Sequence, residues 1–323
     1  MISISLVRRV LRYGKDLWPQ FISQIRCLHP SSEPDKYKHS VYRIIVSYHV
    51  IEKGLTMPSP KAGFGQKVVK SLCILCKDYY EAGYQQSNVH FTHAVRVLNE
   101  YLEFNKRIHF SIEPELEHAI LELQTVTGIM VSSSQEQQEV GEFFQFDKDA
   151  IEHFFTSRRT IRNYLDTPIE KHVLDSCIRI AQSAPSSCNR QPVRVYAITN
   201  PELKSQVLSI HNGNRGFGHL APMLLVVTSD QNSMMGFNER NDGYINAGLF
   251  SMNLVHALRL HGIGNCILNW SVMKDKDEAL RRLLHLSDAE AICLLLTIGY
   301  VPDTFYTAVS PRNAVDDVLT VIS

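Results

Sequence analysis

Three arginines lie within five residues of one another in the segment SRRTIRNY. Guanidinium groups that close repel one another unless an anion or carboxylates lie among them. Arg158, Arg159 and Arg162 therefore predict an anion site, because arginine is the side chain best shaped for bidentate contact with phosphate. Thr160 adds a hydroxyl donor. The alternative is a solvated basic turn.

A second stretch, APSSCNRQPVRVYAIT from Ala184 to Thr199, concentrates small polar groups between an apolar helix and a strand. Its hydroxyl and amide groups both donate and accept hydrogen bonds, which suits the edge of a planar heterocycle or a polyol chain. The alternative is that they cap the helix and form the turn into the strand. The polar residues concerned are Ser186, Ser187, Asn189 and Gln191.

Three later segments carry weaker signals. In GIGNCILNW the glycines allow the backbone to approach a flat ligand, although a helix end at Gly262 explains one of them without any function. Arg312 lies in a turn near the carboxy terminus, where a lone arginine is usually a surface charge. In GFNERNDGY, Glu239 and Arg240 are candidates to line a substrate pocket, with a solvated loop as the alternative.

The composition is typical of a globular protein with a large core. Apolar residues make up 44% of the 323 residues, and 33 basic residues balance 33 acidic ones, so the net charge does not support nucleic-acid binding. Seven irregularly spaced cysteines favour a reducing compartment, and Cys73 and Cys76 are predicted to be buried rather than metal-binding. No metal site is predicted. No apolar run reaches the ~18 residues of a membrane span, and no secretory signal is recognisable, which predicts a cytoplasmic protein.

The first half of the chain is predicted to be helical, with Gly54 and Gly83 ending two of its helices. The opening stretch MISISLVRRVLRYGKDLW is predicted to be an amphipathic helix that rests on a membrane, on a partner or on its own protein. Residues 132–146 are polar without periodicity, so we expect a linker, a helical domain at 1–145 and a second domain at 146–323. The helical segments are 41–54, 65–83, 91–107 and 113–130.

The second half mixes helices and strands, which indicates a layered α/β or α+β domain. A helix is predicted to begin with a capping box of Thr167 and Glu170, with Pro168 in its first turn. Its apolar stripe includes Cys177 and Ile180. The other predicted elements are an almost wholly apolar helix over 243–262, a surface helix over 275–286 and strands over 193–199, 221–229 and 291–300.

The order of these motifs resembles the nitroreductase family of FMN-dependent oxidoreductases, over about residues 150–323. The chain runs R-R-T-x-R, helix, A-P-S-S-x-N-x-Q-P, two strands, a long apolar helix, G-x-G, a strand ending I-G-Y and then P-R-N. The resemblance implies an α+β fold, an α/β/α sandwich around a mainly antiparallel sheet, behind a helical amino-terminal region. It also implies a homodimer with two flavin sites at its interface. Helix 243–262 would form the dimer core, and a core helix within one subunit is the alternative.

The resemblance carries over residue by residue. Arg158, Arg159, Thr160 and Arg162 match the first flavin-binding segment of the family. Arg162 would lie near the pyrimidine edge of the isoalloxazine and stabilise the negative charge of the reduced ring. Arg159 and Arg312 would hold the phosphate, which carries nearly two negative charges.

The remaining matches concern the flavin ring. Asn214, in HNGNRGFGHLAP, is expected to bond the polar edge of the flavin, and Leu268 and Asn269 match the segment whose backbone approaches N5 and O4. The family often has an acidic residue or glycine there, and Asn269 and Trp270 depart from that pattern. The polar segment that borders the flavin, often across the dimer interface, comprises Pro185, Ser186, Ser187, Asn189 and Gln191.

The implied activity is a two-step exchange through FMN. NAD(P)H, or a substrate being oxidised, gives a hydride to flavin N5, and a second, small or sugar-linked substrate takes the electrons. No side-chain acid or base is required for the flavin half-reaction, so no catalytic residue is named. The alternative is a non-enzymatic flavin-fold scaffold, or binding partner, in a polysaccharide biosynthesis assembly.

The segment HVIEKGLTMPSPKAGFG in the first half resembles an amino-terminal extension of nitroreductase-like proteins encoded with polysaccharide biosynthesis enzymes. Glu52 and Lys53, at the end of a helix, are candidates for substrate contact. The glycine-rich loop that follows is a candidate lid over the flavin. A capped helix followed by a proline-stiffened turn is the alternative.

Overall fold

The computed structural model of the chain describes residues 14, 17–18, 21–129 and 133–322. The amphipathic helix predicted at the start of the chain lies mostly outside these residues. In this described part of the chain, no helix is both long and apolar enough to cross a membrane.

Between residues 33 and 127 the chain forms four long helices, as the periodicity predicts, and residues 21–28 before them are also helical. The first begins earlier than its apolar run, because the Ser32 side chain accepts a hydrogen bond from the backbone of Asp35 and a proline occupies the first turn. It also continues through Gly54, which does not end it. The helices are α1 (Glu33–Leu55), α2 (Gln66–Glu81), α3 (Val89–Arg107) and α4 (Pro114–Thr127).

Aromatic side chains fill the core of this helical region, where Tyr48, Phe91 and Tyr101 are almost completely buried. Cys73 and Cys76 belong to the same core, as predicted. Burial raises the pKa of Cys73 to about 12 and also raises the pKa of Cys76. Both thiols are therefore protonated at neutral pH and pack as small apolar groups.

The loop between α1 and α2 is held against its own helical region. The Tyr101 hydroxyl donates to the carbonyl of Phe64 at 2.7 Å, and the Asn105 side chain accepts from the Gly63 N–H at 2.8 Å. Gly63 has a φ of 62°, and a Cβ there would overlap the ring of Phe110. These contacts agree with the capped helix and stiffened turn and do not extend the loop over another part of the molecule.

The predicted linker region, residues 132–146, includes irregular chain over residues 133–139 and the short helix α5 (Val140–Phe143). Helix α6 (Lys148–Thr156) follows, and its N-cap Asp147 accepts a hydrogen bond from Ala150 N. Phe143 and Phe155 leave more than half of their side chains exposed. The connection therefore carries apolar surface that one chain does not cover.

The second half contains four strands, β1 (Val193–Ile198), β2 (Met223–Asp230), β3 (Ile263–Asn269) and β4 (Glu290–Tyr300). They form one antiparallel sheet in the order β1-β2-β4-β3. The three predicted strands are confirmed, with β2 and β4 in the centre. The sequence does not predict β3, because glycine and asparagine interrupt its apolar pattern.

Helices cover both faces of the sheet, which confirms the predicted α+β sandwich. Helices α7 (Lys171–Ala181) and α9 (Asp242–Leu260) pack on one face, and α8 (Pro201–Ile210) and α10 (Lys274–Leu284) pack on the other. Alternate residues of β2 belong to the two cores, as the side-chain alternation of a strand requires. Helix α8 is absent from the sequence-based prediction.

The start of α7 corrects one prediction. The helix begins at Lys171 with Glu170 as its N-cap, so Thr167 and Pro168 do not form a capping box. The preceding chain is held extended along the sheet, where Leu165 N donates to the last carbonyl of β4 at 2.8 Å. This tertiary hydrogen bond outweighs the local capping signal, which is worth only about 1 kcal/mol.

The apolar stripe predicted for α7 is right for Cys177 and wrong for Ile180. Cys177 is completely buried, whereas Ile180 is 36% exposed. Ala181 takes the place of Ile180 in the core. The α7 side chain that packs in the core at this point is therefore alanine and not the larger isoleucine that the apolar spacing predicts.

Candidate functional site

The arginines near the start of the second half come together with two others. Burial lowers the pKa of Arg158, and the nearby guanidinium groups of Arg312, Arg159 and Arg259 lower it further. Among the described residues, no carboxylate lies within ion-pair distance of any of these four, which we call the arginine cluster. Cations held together without a carboxylate form a site for an anion.

Arg259, which sequence reasoning misses, attaches this cluster to the end of α9. Its guanidinium donates to the backbone carbonyl of Phe154 and, at 2.7 Å, to the hydroxyl of Ser157. These hydrogen bonds fix the chain that leads from α6 into Arg158. The available signal is that Arg259 is the one lysine or arginine in the otherwise apolar segment 243–262.

His256, one turn earlier on α9, lies beside the same cluster. Its ring packs edge-on against Phe155 with centroids 4.7 Å apart, and its buried Nδ1 has no hydrogen-bond partner among the described residues. Burial lowers the pKa of His256, and Arg158 and Arg259 lower it further. The neutral ring can carry its proton on Nδ1 and donate it to a bound anion.

A second group of predicted residues surrounds the end of β3. The Arg162 guanidinium lies 5.5 Å from the centroid of the Phe217 ring, and His211 Nε2 bonds the carbonyl of Asn269 at 2.9 Å. The Asn214 amide nitrogen donates to two backbone carbonyls, at 2.7 and 3.0 Å, so its Oδ1 is the atom left for a ligand. We call Arg162, Asn214, Phe217 and Asn269 the β3 cradle.

The backbone ties the arginine segment to this cradle. Ile161 N donates to the carbonyl of Asn265 in β3 at 3.0 Å, which places half-buried Thr160 and exposed Arg162 along the same strand. Leu268 is 3% exposed, so its side chain belongs to the core and only its backbone is available to a ligand. Of the predicted residues, Arg162 therefore lies beside the middle of β3, next to Cys266, whereas Arg158 lies near Arg259 at the end of α9.

The predicted polar segment Pro185–Gln191, which we call the serine turn, has an unusual backbone. Cys188, Asn189 and Gln191 have φ values of 51°, 55° and 51°. Left-handed conformations at non-glycine residues cost about 1 kcal/mol or more each, and such strain is concentrated at functional sites. The turn is nevertheless held closed, because the Ser186 hydroxyl accepts from Gln191 N at 3.0 Å.

Arg190 anchors the serine turn, and sequence reasoning misses it. Arg190 is 3% exposed and pairs with Glu239 at 2.6 Å and with Asp242 at 3.3 Å. Glu239, a predicted substrate residue, is therefore a partner of this buried arginine. The second predicted residue of that loop, Arg240, stacks 5.6 Å from the centroid of the Phe237 ring.

The arginine cluster and the serine turn lie at opposite ends of α9. Ser187 N donates to the side chain of Asn246 near the start of the helix, whereas Arg259 binds Ser157 near its end. At 1.5 Å per residue, these two points are about 20 Å apart along the axis. Within one chain, the two segments are therefore attached to α9 about a helix length apart.

The predicted substrate residues of the first half lie elsewhere. Glu52 accepts a 2.5 Å hydrogen bond from His93 Nε2 and lies 3.7 Å from His49 Nδ1, all within the helical region. Neither Glu52 nor Lys53 lines either of two large cavities formed by the described residues. One cavity, of about 580 Å³, separates α1 from β1 and α7. The other, of about 890 Å³, lies between residues 23–35 and the end of β3.

Comparison with known proteins assigns the second half to a family. Residues 155–300 match the model of the nitroreductase family. The resemblance to this family that the sequence predicts is therefore confirmed for residues 155–300.

Individual relatives are similar over short stretches. The FMN reductase [NAD(P)H] of Bacillus subtilis is 36% identical over 77 residues, which cover 24% of this chain and 30% of the relative. The 5,6-dimethylbenzimidazole synthase of Rhodobacter capsulatus is 33% identical over 73 residues, 23% of this chain and 35% of the relative. The chain thus spans about a third of the length of these curated relatives. A solved structure, the hypothetical oxidoreductase YcnD from Bacillus subtilis, is 26% identical with a TM-score of 0.48, over 54% of this chain and 73% of that one.

Proposed function

We propose that this protein is an FMN-dependent oxidoreductase of the nitroreductase type, with NAD(P)H as its electron donor. The observation that carries the proposal is the arginine cluster, whose four guanidinium groups have no carboxylate partner among the described residues and adjoin the β3 cradle. A ligand with a dianionic phosphate at one end and a polar heterocycle at the other matches both groups.

The residues present fit FMN. The arginine cluster supplies charge for the phosphate, and the buried, unpartnered Nδ1 of His256 supplies a further donor. When bound, FMN accepts and returns a hydride. The β3 cradle offers the Oδ1 of Asn214 and the backbone of Asn269 to the ring edge.

Arg162 has an electrostatic role in this proposal. A fixed cation at the ring edge stabilises the negative charge that reduction builds there. Its neighbour Cys266 does not compete for that charge, because burial raises the pKa of the thiol although Arg162 lowers it. Cys266 therefore stays neutral at neutral pH, and the guanidinium of Arg162 remains available to the ligand.

We propose that two copies of the chain complete each site. The partner's serine turn would join the arginine cluster, since the two lie at opposite ends of α9 in one chain. Ile245, Leu249 and Met252 support this assembly, because they form one helix face and are 56%, 43% and 39% exposed. Val321 and Ile322 of the carboxy-terminal tail are also more than 80% exposed, and, among the residues that the structure describes, β1 has a neighbouring strand on one side only.

The chain divides, in this proposal, into a helical domain at 1–145 and an FMN-binding domain at 146–323. A small or sugar-linked molecule is the electron acceptor. The cytoplasm is the proposed location, because none of the seven cysteines forms a disulfide and free thiols persist in a reducing compartment. The second candidate function, a scaffold that keeps the flavin fold without turnover, leaves the arginine cluster without a purpose.

Absorbance spectroscopy tests the proposal. The purified protein, or protein supplied with FMN, should absorb near ~450 nm, and anaerobic NADPH or NADH should bleach that band. Colour without bleaching by either nucleotide would favour the scaffold. A colourless protein that takes up no FMN would overturn the assignment of the arginine cluster.

A further inference from the structure

The larger cavity joins the two halves of the molecule. Its volume is about 890 Å³, and one wall consists of residues 23–35 from the amino-terminal region. Asn269 and Trp270, at the end of β3, line the same cavity. The opening that leads to the proposed flavin ring is therefore bordered by a segment outside the nitroreductase-family region, which spans 155–300.

The amino-terminal wall is firmly attached. The Ser23 hydroxyl donates to the carbonyl of Asp288 at 2.9 Å, and the Asn232 side chain donates to the Asp35 carboxylate at 3.0 Å. Cys27 is buried against residues of the second half. The cavity is thus a built part of the structure and not a gap between loosely associated regions.

Gln231 provides an unsatisfied binding group in this cavity. It is 4% exposed and lines the cavity, yet neither polar atom of its side chain has a partner among the described residues. Gly243 of α9 packs so closely that a Cβ there would lie 2.9 Å from Gln231 Nε2. A buried amide without partners is destabilising unless a ligand pairs with it.

The charged side chains of the cavity leave an excess of negative charge. Arg281 is paired with Asp277 at 2.6 Å, and Lys274 with Glu278 at 3.3 Å. The remaining charged lining residues are one cation, Arg26, and three carboxylates. These carboxylates belong to Asp35, Asp288 and Glu290.

The pKa of Cys27 reflects the same excess of negative charge. The pKa of Cys27 is raised to about 12 by burial, the largest cause, together with the carboxylates of Asp230, Asp35 and Asp288, against a smaller opposing effect of Arg281. A negatively charged ligand entering the cavity meets two of these carboxylates, Asp35 and Asp288, which line it. The arginine cluster, which lies beside Arg259 at the far end of α9, has the opposite sign.

We propose that this cavity binds the electron-accepting substrate and selects a polar molecule rich in hydrogen-bond donors and without negative charge. Carboxylates and the Gln231 amide recognise hydroxyl or ammonium groups, whereas an anionic acceptor is repelled. The amino-terminal segment 23–35 thus determines substrate specificity. This inference rests on the proposed function, because Asn269 connects the cavity to the proposed flavin ring.

Three nitroaromatic probes of one shape test the selectivity: 4-nitrobenzyl alcohol, 4-nitrobenzylamine and 4-nitrobenzoate. Nitro groups quench indole fluorescence, so binding is read from Trp270 in a Trp18→Phe background, in FMN-supplied and in FMN-free protein. The alcohol and the amine should bind at least about tenfold more tightly than the benzoate. A preference for the alcohol would identify hydroxyl recognition, and a preference for the amine would identify ammonium recognition.

Asp288→Asn should lower the ratio of the 4-nitrobenzyl alcohol affinity to the 4-nitrobenzoate affinity about three- to tenfold, because the Asp288 carboxylate lies in the cavity wall. Glu115→Gln, which removes an exposed charge on α4, is the matched control and should leave this affinity ratio unchanged. Equal binding of all three probes, or tighter binding of the benzoate, would overturn this inference. Flavin absorbance in the same samples separates the two proposals, since FMN uptake without probe selectivity would defeat only this one.

Discussion

Substitution of Arg312 tests whether the arginine cluster holds a phosphate. Arg312 lies on the exposed tail, and within the described residues its side chain bonds only nearby carbonyls, of Ser310 at 3.3 Å and Pro311 at 3.2 Å. Arg312→Ala should therefore leave the fold intact. A charge-assisted hydrogen bond contributes about 1.5–3 kcal/mol.

The lower end of that range applies to an exposed arginine, because solvent screens its charge. FMN affinity should therefore fall about tenfold. The Arg312 guanidinium also repels that of Arg158, and a bound phosphate relieves this repulsion. Arg312→Ala removes the repulsion from the empty site, so less is gained on binding and FMN affinity falls slightly more. Riboflavin, which lacks the phosphate, should lose less than about twofold in affinity.

Titration of flavin fluorescence against the protein measures both affinities at two salt concentrations. Arg312→Lys should be intermediate, because lysine keeps the charge but loses the bidentate geometry. Arg179→Ala, an exposed arginine of α7, should change neither affinity. Equal weakening of FMN and riboflavin by Arg312→Ala, or a loss that does not shrink at high salt, would refute the phosphate assignment.

Three further predictions concern assembly, folding and pH. Leu249→Arg places a charge on the exposed face of α9 and should give a monomer by sedimentation velocity with weakened FMN binding; a monomer with full FMN affinity would contradict the two-chain site. Gly63→Ala should lower the free energy of unfolding by about 2–4 kcal/mol in urea denaturation, because φ is 62° and a Cβ overlaps the Phe110 ring, while FMN affinity stays unchanged. Burial lowers the pKa of His39 below its ordinary 6.5. The folded protein therefore resists protonation of His39, and its free energy of unfolding falls as the pH drops below about 6.5, where the unfolded chain takes up the proton. His39→Gln should therefore flatten the fall in stability between about pH 7 and 5, and an unchanged slope would contradict this assignment.

The sequence predicts most of the fold because the signals are local and strong. Long apolar periodicity identifies α1 to α4, and continuous apolar runs identify β2 and β4 as central strands. The start of α7 is mispredicted because the hydrogen bond of Leu165 to the last residue of β4 is a contact between distant parts of the chain. Strand β3 is not predicted because it lacks a clear apolar pattern, and its backbone hydrogen bonds to β4 stabilise it instead.

The candidate site is predictable only where its residues share a motif. The segment containing Arg158 and Arg162 is recognised by its composition, whereas Arg259 and His256 join it only because α9 ends beside α6. The sequence also does not show that Glu239 pairs with Arg190, because the two residues are far apart in the chain. Residues that reach the site through the packing of distant helices have no characteristic spacing in the sequence, so no motif identifies them.

The length of α9 has a genetic consequence. If each flavin is held by arginines of one chain and the serine turn of the other, a chain defective at Ser187 and a chain defective at Arg158 damage different halves of a site. Co-expression of two such alleles would restore one intact site in each mixed pair. Neither allele alone would restore any, so the protein would show complementation between subunits.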